Sequence, residues 1–158
     1  MNDKVIRDYR EQDAAATLAV FLDAVMITAA VDYSAAQISA WARPSQRRVE
    51  DWNEARCRVS TIVAVVDGQM AGFSDVSAEG YIDMMFVSPH FARRGVARRL
   101  LAEIEGRARD AGAAGLSANV SITARPFFEH AGFVVEAEQH PVTEGVELTN
   151  FKMTRALG

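Results

Sequence analysis

The chain has 158 residues, 49% apolar, 24% charged and 8% aromatic, and its 21 acids outnumber its 17 lysines and arginines to give a net charge of −4. A chain of this length buries roughly 70% of its unfolded surface in one core, so one globular domain over residues 1–158 is expected. No nucleic-acid partner is expected either, since one needs a strongly basic face. A single Cys57 without Cys or His at ligand spacing excludes a disulfide scaffold and a conventional zinc site, and the expectation is no metal.

In chain order, Val5 to Tyr9 reads as an edge strand. The stretch from Ala14 to Val31 is broken by Asp23 and lacks a basic start, so it reads as neither signal sequence nor bilayer span. The expectations are a cytoplasmic protein and no membrane partner. Spacings of three and four among Ala15, Leu18, Ala19, Leu22 and Met26 predict a helix from Asp13 to Ala29. Ser34 with Gln37 is a capping-box pattern opening a second helix, which carries Ile38 and Trp41 and stops before Pro44; a third, short helix surrounds Val49 and Trp52. The β-branched run Thr61 to Val66, the turn Asp67-Gly68 and the return Gln69 to Val76 make a hairpin.

Tyr81 to Val87 follows as a strand ended by Ser88-Pro89. From Gly95 to Asp110 a helix is predicted, with Val96, Leu100, Ile104 and Ala108 on one side and the pairs Glu103/Arg107 and Glu105/Arg109 on the other. Gly115 to Val120 is a strand, Ala124 to Ala131 a helix and Phe133 to His140 a strand. Glu144-Gly145 then turns into a last strand, Val146 to Arg155. Antiparallel hairpins at both ends with a βαβα unit between them make a mixed α/β layered sheet.

Chemistry concentrates in Val87 to Leu101, where a strand end, a loop and a helix start carry Arg93, Arg94, Arg98 and Arg99. Cations there face the positive end of the helix dipole and need an anion for company. Free N–H groups in the first turn, Gly95 and the small Ala97 provide a phosphate cradle. The alternative is a solvated basic turn. No Gly-Lys-Ser/Thr and no GxGxxG is present, so neither a Walker loop nor a dinucleotide fingerprint applies.

The segment Ala92-Arg93-Arg94-Gly95-Val96-Ala97 resembles the acyl-CoA pyrophosphate loop of the GCN5-related N-acetyltransferase (GNAT) family, Gln/Arg-x-x-Gly-x-Gly/Ala, with Ala92 at the Gln/Arg position. A second stretch, Ser121 to Phe133, is similar to the family's Asn-x-x-Ala-x-x-Phe-Tyr-Glu-x-x-Gly-Phe, with Ser121 for Asn and Phe128 for Tyr. Further segments, among them Tyr33-Ser34, Gln37 to Ala42, Tyr81 to Met84 and Thr149 to Phe151, resemble the family's YafP-like branch. The resemblance covers nearly the whole chain. It implies a mixed, mostly antiparallel central sheet with helices on both faces and acetyl-CoA as co-substrate, and it makes a homodimer plausible.

On that resemblance, backbone groups of Met85, Phe86 and Val87 hold the pantetheine arm. Arg93, Arg94, Gly95, Val96, Ala97 and Arg98 hold the pyrophosphate, and Ser121 and Phe128 line the cofactor site. Asp83 lies two positions from that backbone and is the expected general base, through water, or else an anchor for a substrate ammonium or a partner of an arginine; Glu79 and His90 are weaker substitutes. Phe128 cannot protonate the leaving thiolate, a task that Tyr81, Tyr33 or Ser121 could take. Tyr33, Gln37, Trp41 and Phe151 are the expected acceptor-site residues, for a primary amine of a small molecule or peptide. The competing expectation is a non-catalytic acyl-CoA-binding sensor, which Phe128 and Ala92 motivate.

Overall fold

The computed structural model describes residues 3–158. Two four-stranded sheets form the centre. The first has the order β1 (Lys4–Asp8), β2 (Ser60–Val66), β3 (Gln69–Val76), β5 (Met85–Val87), all antiparallel. The second has the order β4 (Tyr81–Ile82), β6 (Gly115–Ser121), β10 (Asn150–Ala156), β7 (Val134–Gln139), where β4 and β6 run parallel. A small hairpin, β8 (Val142–Thr143) with β9 (Val146–Glu147), stands apart.

The hairpin turn works as its residues dictate: Asp67 and Gly68 both take positive φ, 51° and 80°, which matches the right-handed twist of β2 and β3. Alternation along β2 then sorts the core. Ile62, Ala64 and Val66 face α4 (Val96–Asp110), whose Val96, Leu100, Ile104 and Ala108 are buried as their spacing predicts. On the opposite face Val63 and Phe73 pack under α1 (Ala14–Asp23) and Trp52 of α3 (Val49–Arg58). The pairs Arg107–Glu103 and Arg109–Glu105 form at 3.1 and 3.0 Å. Gly72 of β3 has no room for a side chain, because a Cβ there would lie 2.9 Å from the Phe86 carbonyl.

Three expectations are corrected. The first helix buries Ala14, Thr17, Leu18, Phe21 and Val25 and leaves Ala15, Ala19 and Met26 exposed. Small alanines gave the apolar pattern two nearly equivalent faces, and packing against Trp52 and Phe73 chose the one with Phe21. This helix also changes pitch, passing through a π-helical turn at Ala24–Thr28 and a 3-10 turn at Ala29–Val31. By length and composition the run Glu11–Val31 is apolar enough to cross a membrane, so Asp23 was no ground for denying it that property; here Phe21 and Val25 are buried in protein.

Secondly, Tyr81 to Val87 is not one strand: it breaks at Asp83-Met84, and its halves join different sheets. Thirdly, the last strand begins only at Asn150, because Leu148 turns inward onto Ala29 and Tyr33 and its N–H is taken by the Pro141 carbonyl at 2.8 Å.

The capping box forms in full. Ser34 Oγ accepts from the Gln37 N–H and Gln37 Oε1 from the Ser34 N–H, at 3.1 and 2.9 Å, at the start of α2 (Ala35–Ala42). Ser34→Ala is expected to cost about 0.5–2 kcal/mol, read as a lowered urea midpoint at unchanged m-value.

Candidate active site

The break between β4 and β5 opens the molecule. Splitting a strand strands its backbone polar groups, and β3 supplies their partners. Asp75 Oδ1 accepts from the N–H of Asp83 at 2.8 Å and of Met84 at 3.4 Å, while the Met84 carbonyl accepts from Ser74 Oγ at 2.8 Å and from the Asp75 N–H at 3.2 Å. Asp75 and Ser74 are both fully buried, and Asp75 pairs with buried Arg56 at 3.2 Å. Burial pushes the Asp75 carboxyl up to about 6, outweighing the amide and guanidinium contacts that act to lower it. Neither Asp75 nor Ser74 emerged from the sequence. The available signal was an acid within the otherwise apolar strand Gln69 to Val76.

On one side of the break lies a cleft of about 480 Å³. β5 forms one wall and is the edge of its sheet, paired with β3 alone, so its outer N–H and C=O groups are open to an extended ligand. The start of α4 forms the floor. Gly95 caps it at φ 79°, where a Cβ would meet nothing nearer than Lys4 Nζ at 4.0 Å, and Arg93 before it also adopts positive φ, 63°, so the glycine answers to backbone shape rather than to crowding. The first bonded amide of α4 is that of Arg99, to Gly95 O, which leaves the N–H groups of Val96, Ala97 and Arg98 without helical partners at the positive end of the dipole.

Met85, Phe86, Val87, Arg93, Gly95, Val96, Ala97, Arg98, Ser121 and Phe128 all line this cleft. Arg94 does not: its guanidinium lies 5.2 Å over the Phe91 ring and its carbonyl is held by Lys4 Nζ. Arg99 is likewise occupied, donating to the Lys4 carbonyl at 3.3 Å. Two of the four arginines therefore face the cleft. Ser121 Oγ accepts from the Ala124 N–H at 3.0 Å, opening the turn into α5 (Arg125–His130). Phe128 is buried between Phe127 and Phe133.

On the other side lies a cavity of about 470 Å³, lined by Asp83, Tyr33, Trp41 and Asn119 among others. A slit of about 60 Å³ lies at the split itself, bounded by Asp83, Phe86, Ser121 and Phe128. Trp41, Phe86 and Ser121 border all three spaces. A thioester entering from the cleft and a nucleophile entering from the cavity would meet at this slit.

Four sequence-predicted residues sit elsewhere or are committed. Phe151 is a core residue, with Arg125 stacked 4.5 Å over its ring, because alternation along β10 turns Phe151 and Met153 inward. Gln37 spends its side chain on the capping box and on the Glu147 carbonyl, at 3.0 Å. The Tyr33 hydroxyl donates to the Thr149 carbonyl and accepts from the Ile122 N–H at 3.0 Å, and burial raises its pKa, so it has no proton to offer. Tyr81 lies outside the cavity, its hydroxyl accepting from Asn119 at 3.4 Å; burial, then Asp83 and Asp75, raise its pKa. Glu79 and His90 line none of these spaces. Sequence reasoning missed Thr28, Thr123 and Phe127 in the cleft, and Arg43, Arg47 and Asn150 in the cavity.

Arg98→Glu is expected to weaken coenzyme A binding by about tenfold or more, the scale of a lost charge-assisted hydrogen bond plus repulsion. Arg94→Glu should change it far less. Calorimetric titration of both variants checks the difference.

Known proteins share this chain's fold and sequence pattern. A family model described as an acetyltransferase (GNAT) domain matches residues 29–155. The uncharacterised N-acetyltransferase YafP of Escherichia coli K12 is 39% identical over 153 residues, 97% of this chain and 96% of its own. A GCN5-related N-acetyltransferase from Rhodopseudomonas palustris superposes with a TM-score of 0.92 at 30% identity, covering 97% of this chain and 95% of its own. The Salmonella typhimurium protein YncA, solved with its cofactor acetyl-CoA, shares the fold at a TM-score of 0.73 and 22% identity, covering 99% and 95%. With the family model spanning most of the chain and a relative at 39% identity along nearly all of it, the protein belongs to the GNAT family of N-acetyltransferases.

Proposed function

We propose that this N-acetyltransferase moves the acetyl group of acetyl-CoA directly onto the primary amine of a small molecule or peptide, with Asp83 as the base. The observation that carries the reading is the slit at the β4/β5 break, which joins the cleft to the cavity and has Asp83 on its cavity side. The edge of β5 and the amides of Val96, Ala97 and Arg98 fit a pantetheine arm and a diphosphate, with Arg93 and Arg98 adding charge. Asp83 is exposed, so water reaches it and relays a proton from the incoming ammonium. The amine nitrogen bonds to the acetyl carbon, the carbon–sulfur bond breaks with its electron pair leaving on sulfur, and the nitrogen gives its second proton to water to become the neutral amide.

No side chain at the Phe128 position protonates that sulfur. A thiol pKa of about 8.5 makes the thiolate a tolerable leaving group, and solvent protonates it. Following free thiol while the chain is incubated with acetyl-CoA and a panel of amines tests the proposal. Release that depends on an amine is expected. Coenzyme A binding without release on any amine would instead support the sensor reading that Phe128 motivates.

A further inference from the structure

The cavity on the Asp83 side carries more charge than an amine requires. Besides Asp83 it is lined by two guanidiniums, those of Arg43 and Arg47. Arg47 Nε and one terminal nitrogen donate to the Ala42 and Trp41 carbonyls, at 2.6 and 2.9 Å, and its plane lies 4.5 Å over the Phe21 ring. It makes no ion pair among the described residues, and its other terminal nitrogen is uncommitted. Arg43 gives one terminal nitrogen to Glu144 at 3.1 Å, on the open side, while its Nε is buried with no hydrogen-bond partner.

Arg43 also occupies the cap position after α2 in a left-handed conformation, φ 43° and ψ 55°, where glycine or asparagine is the ordinary choice. Strain of that kind persists where the surroundings hold it. Burial first, and then the neighbouring charges of Arg43 and Arg56, pull Arg47 below the usual arginine value. On the remaining wall Asn150 Oδ1 is buried and unpartnered, an acceptor awaiting a donor.

Resting on the transfer reading above, we propose that the acceptor is an amino carboxylate, its carboxylate held by Arg43 and Arg47 and its amine turned toward Asp83. The planar guanidinium fork suits a carboxylate, and the carbonyl bonds that already fix Arg47 reduce the ordering cost of binding. Asn150 Oδ1 is then free to accept from the acceptor's ammonium. The aromatic walls, Phe21, Tyr33 and Trp41, leave space for an apolar body between the charged ends.

The test compares matched pairs, phenylalanine with phenethylamine and alanine with ethylamine, and adds phosphoethanolamine as an amine bearing phosphate. Binding is read from Trp41 fluorescence in the presence of coenzyme A, and transfer from thiol release. In each pair the carboxylate-bearing member is expected to bind at least about tenfold more tightly, the scale of charge-assisted hydrogen bonding. Arg43→Gln and Arg47→Lys should collapse that ratio toward one, raising the acceptor KM while the KM for acetyl-CoA stays as it was. Arg47→Lys keeps the charge that caps α2, and Arg43→Gln gives an independent reading if it fails to fold. Equal binding within both pairs overturns the proposal, as does a ratio untouched by both variants or a preference for phosphoethanolamine. Carboxylate-selective binding without thiol release would leave the acceptor site standing and overturn the transfer reading alone.

Discussion

Asp83→Asn is expected to lower kcat by about 10²- to 10⁴-fold, the usual worth of a positioned base, while the Kd for coenzyme A stays within about twofold. The separation follows from the geometry: Asp83 borders the cavity and the slit, whereas the cleft is bounded by β5, the α4 start and α5 without it. Thiol release under saturating substrates and calorimetry on the same preparation check the two halves. A variant that instead raises only the acceptor KM would make Asp83 an ammonium anchor, and one that matches wild type at every pH would remove it from the chemistry.

Asp75→Ala carries the second large effect, an expected loss of about 3–5 kcal/mol in unfolding free energy at pH 7. It leaves the buried Arg56 without its only ion-pair partner among the described residues and takes the acceptor from the amides of Asp83 and Met84. Because that acceptor fixes the strand break, turnover should fall as well. The pH dependence has a definite sign. Burial pushes the folded carboxyl up to about 6, above the ordinary aspartate range, so the folded state holds the proton more tightly than the unfolded chain. The stability this confers is fully present below about pH 4 and is lost as pH rises through about 6. Asp75→Asn should remove that component. Urea titrations at pH 4.5 and 7 should therefore show wild type losing stability relative to the asparagine variant at the higher pH.

Much of the frame could be read without coordinates, and its errors share a cause. The β2–β3 turn, the α2 cap and the α4 face were legible because each depends on residues a few positions apart: two turn residues that take positive φ, a serine and a glutamine three apart, and apolar side chains every fourth residue. Tyr81 to Val87 misled because its composition is that of an unbroken strand. The residues that break it lie on β3, at Ser74 and Asp75, and a run of β-formers says nothing about side chains arriving from elsewhere. The face of α1 was misjudged for a similar reason, since alanine permits either orientation and Trp52 decides.

The candidate site divides along the same line. The proposed cofactor loop is one contiguous segment that offers free backbone amides, and the order Ala92 to Arg98 was enough to propose it. Its arginines could be counted but not aimed, and only packing assigned Arg94 to Phe91 and left Arg93 and Arg98 in the cleft. The cavity proposed for the acceptor draws on the end of α2, the β4/β5 break, β6 and the stretch before β10. Arg43, Arg47, Asn119 and Asn150 have no spacing that announces a common purpose. Short-range backbone geometry is encoded locally and survives reading in one dimension. A pocket assembled from distant segments exists only once the chain has closed, because its chemistry depends on which side chains burial leaves unpaired.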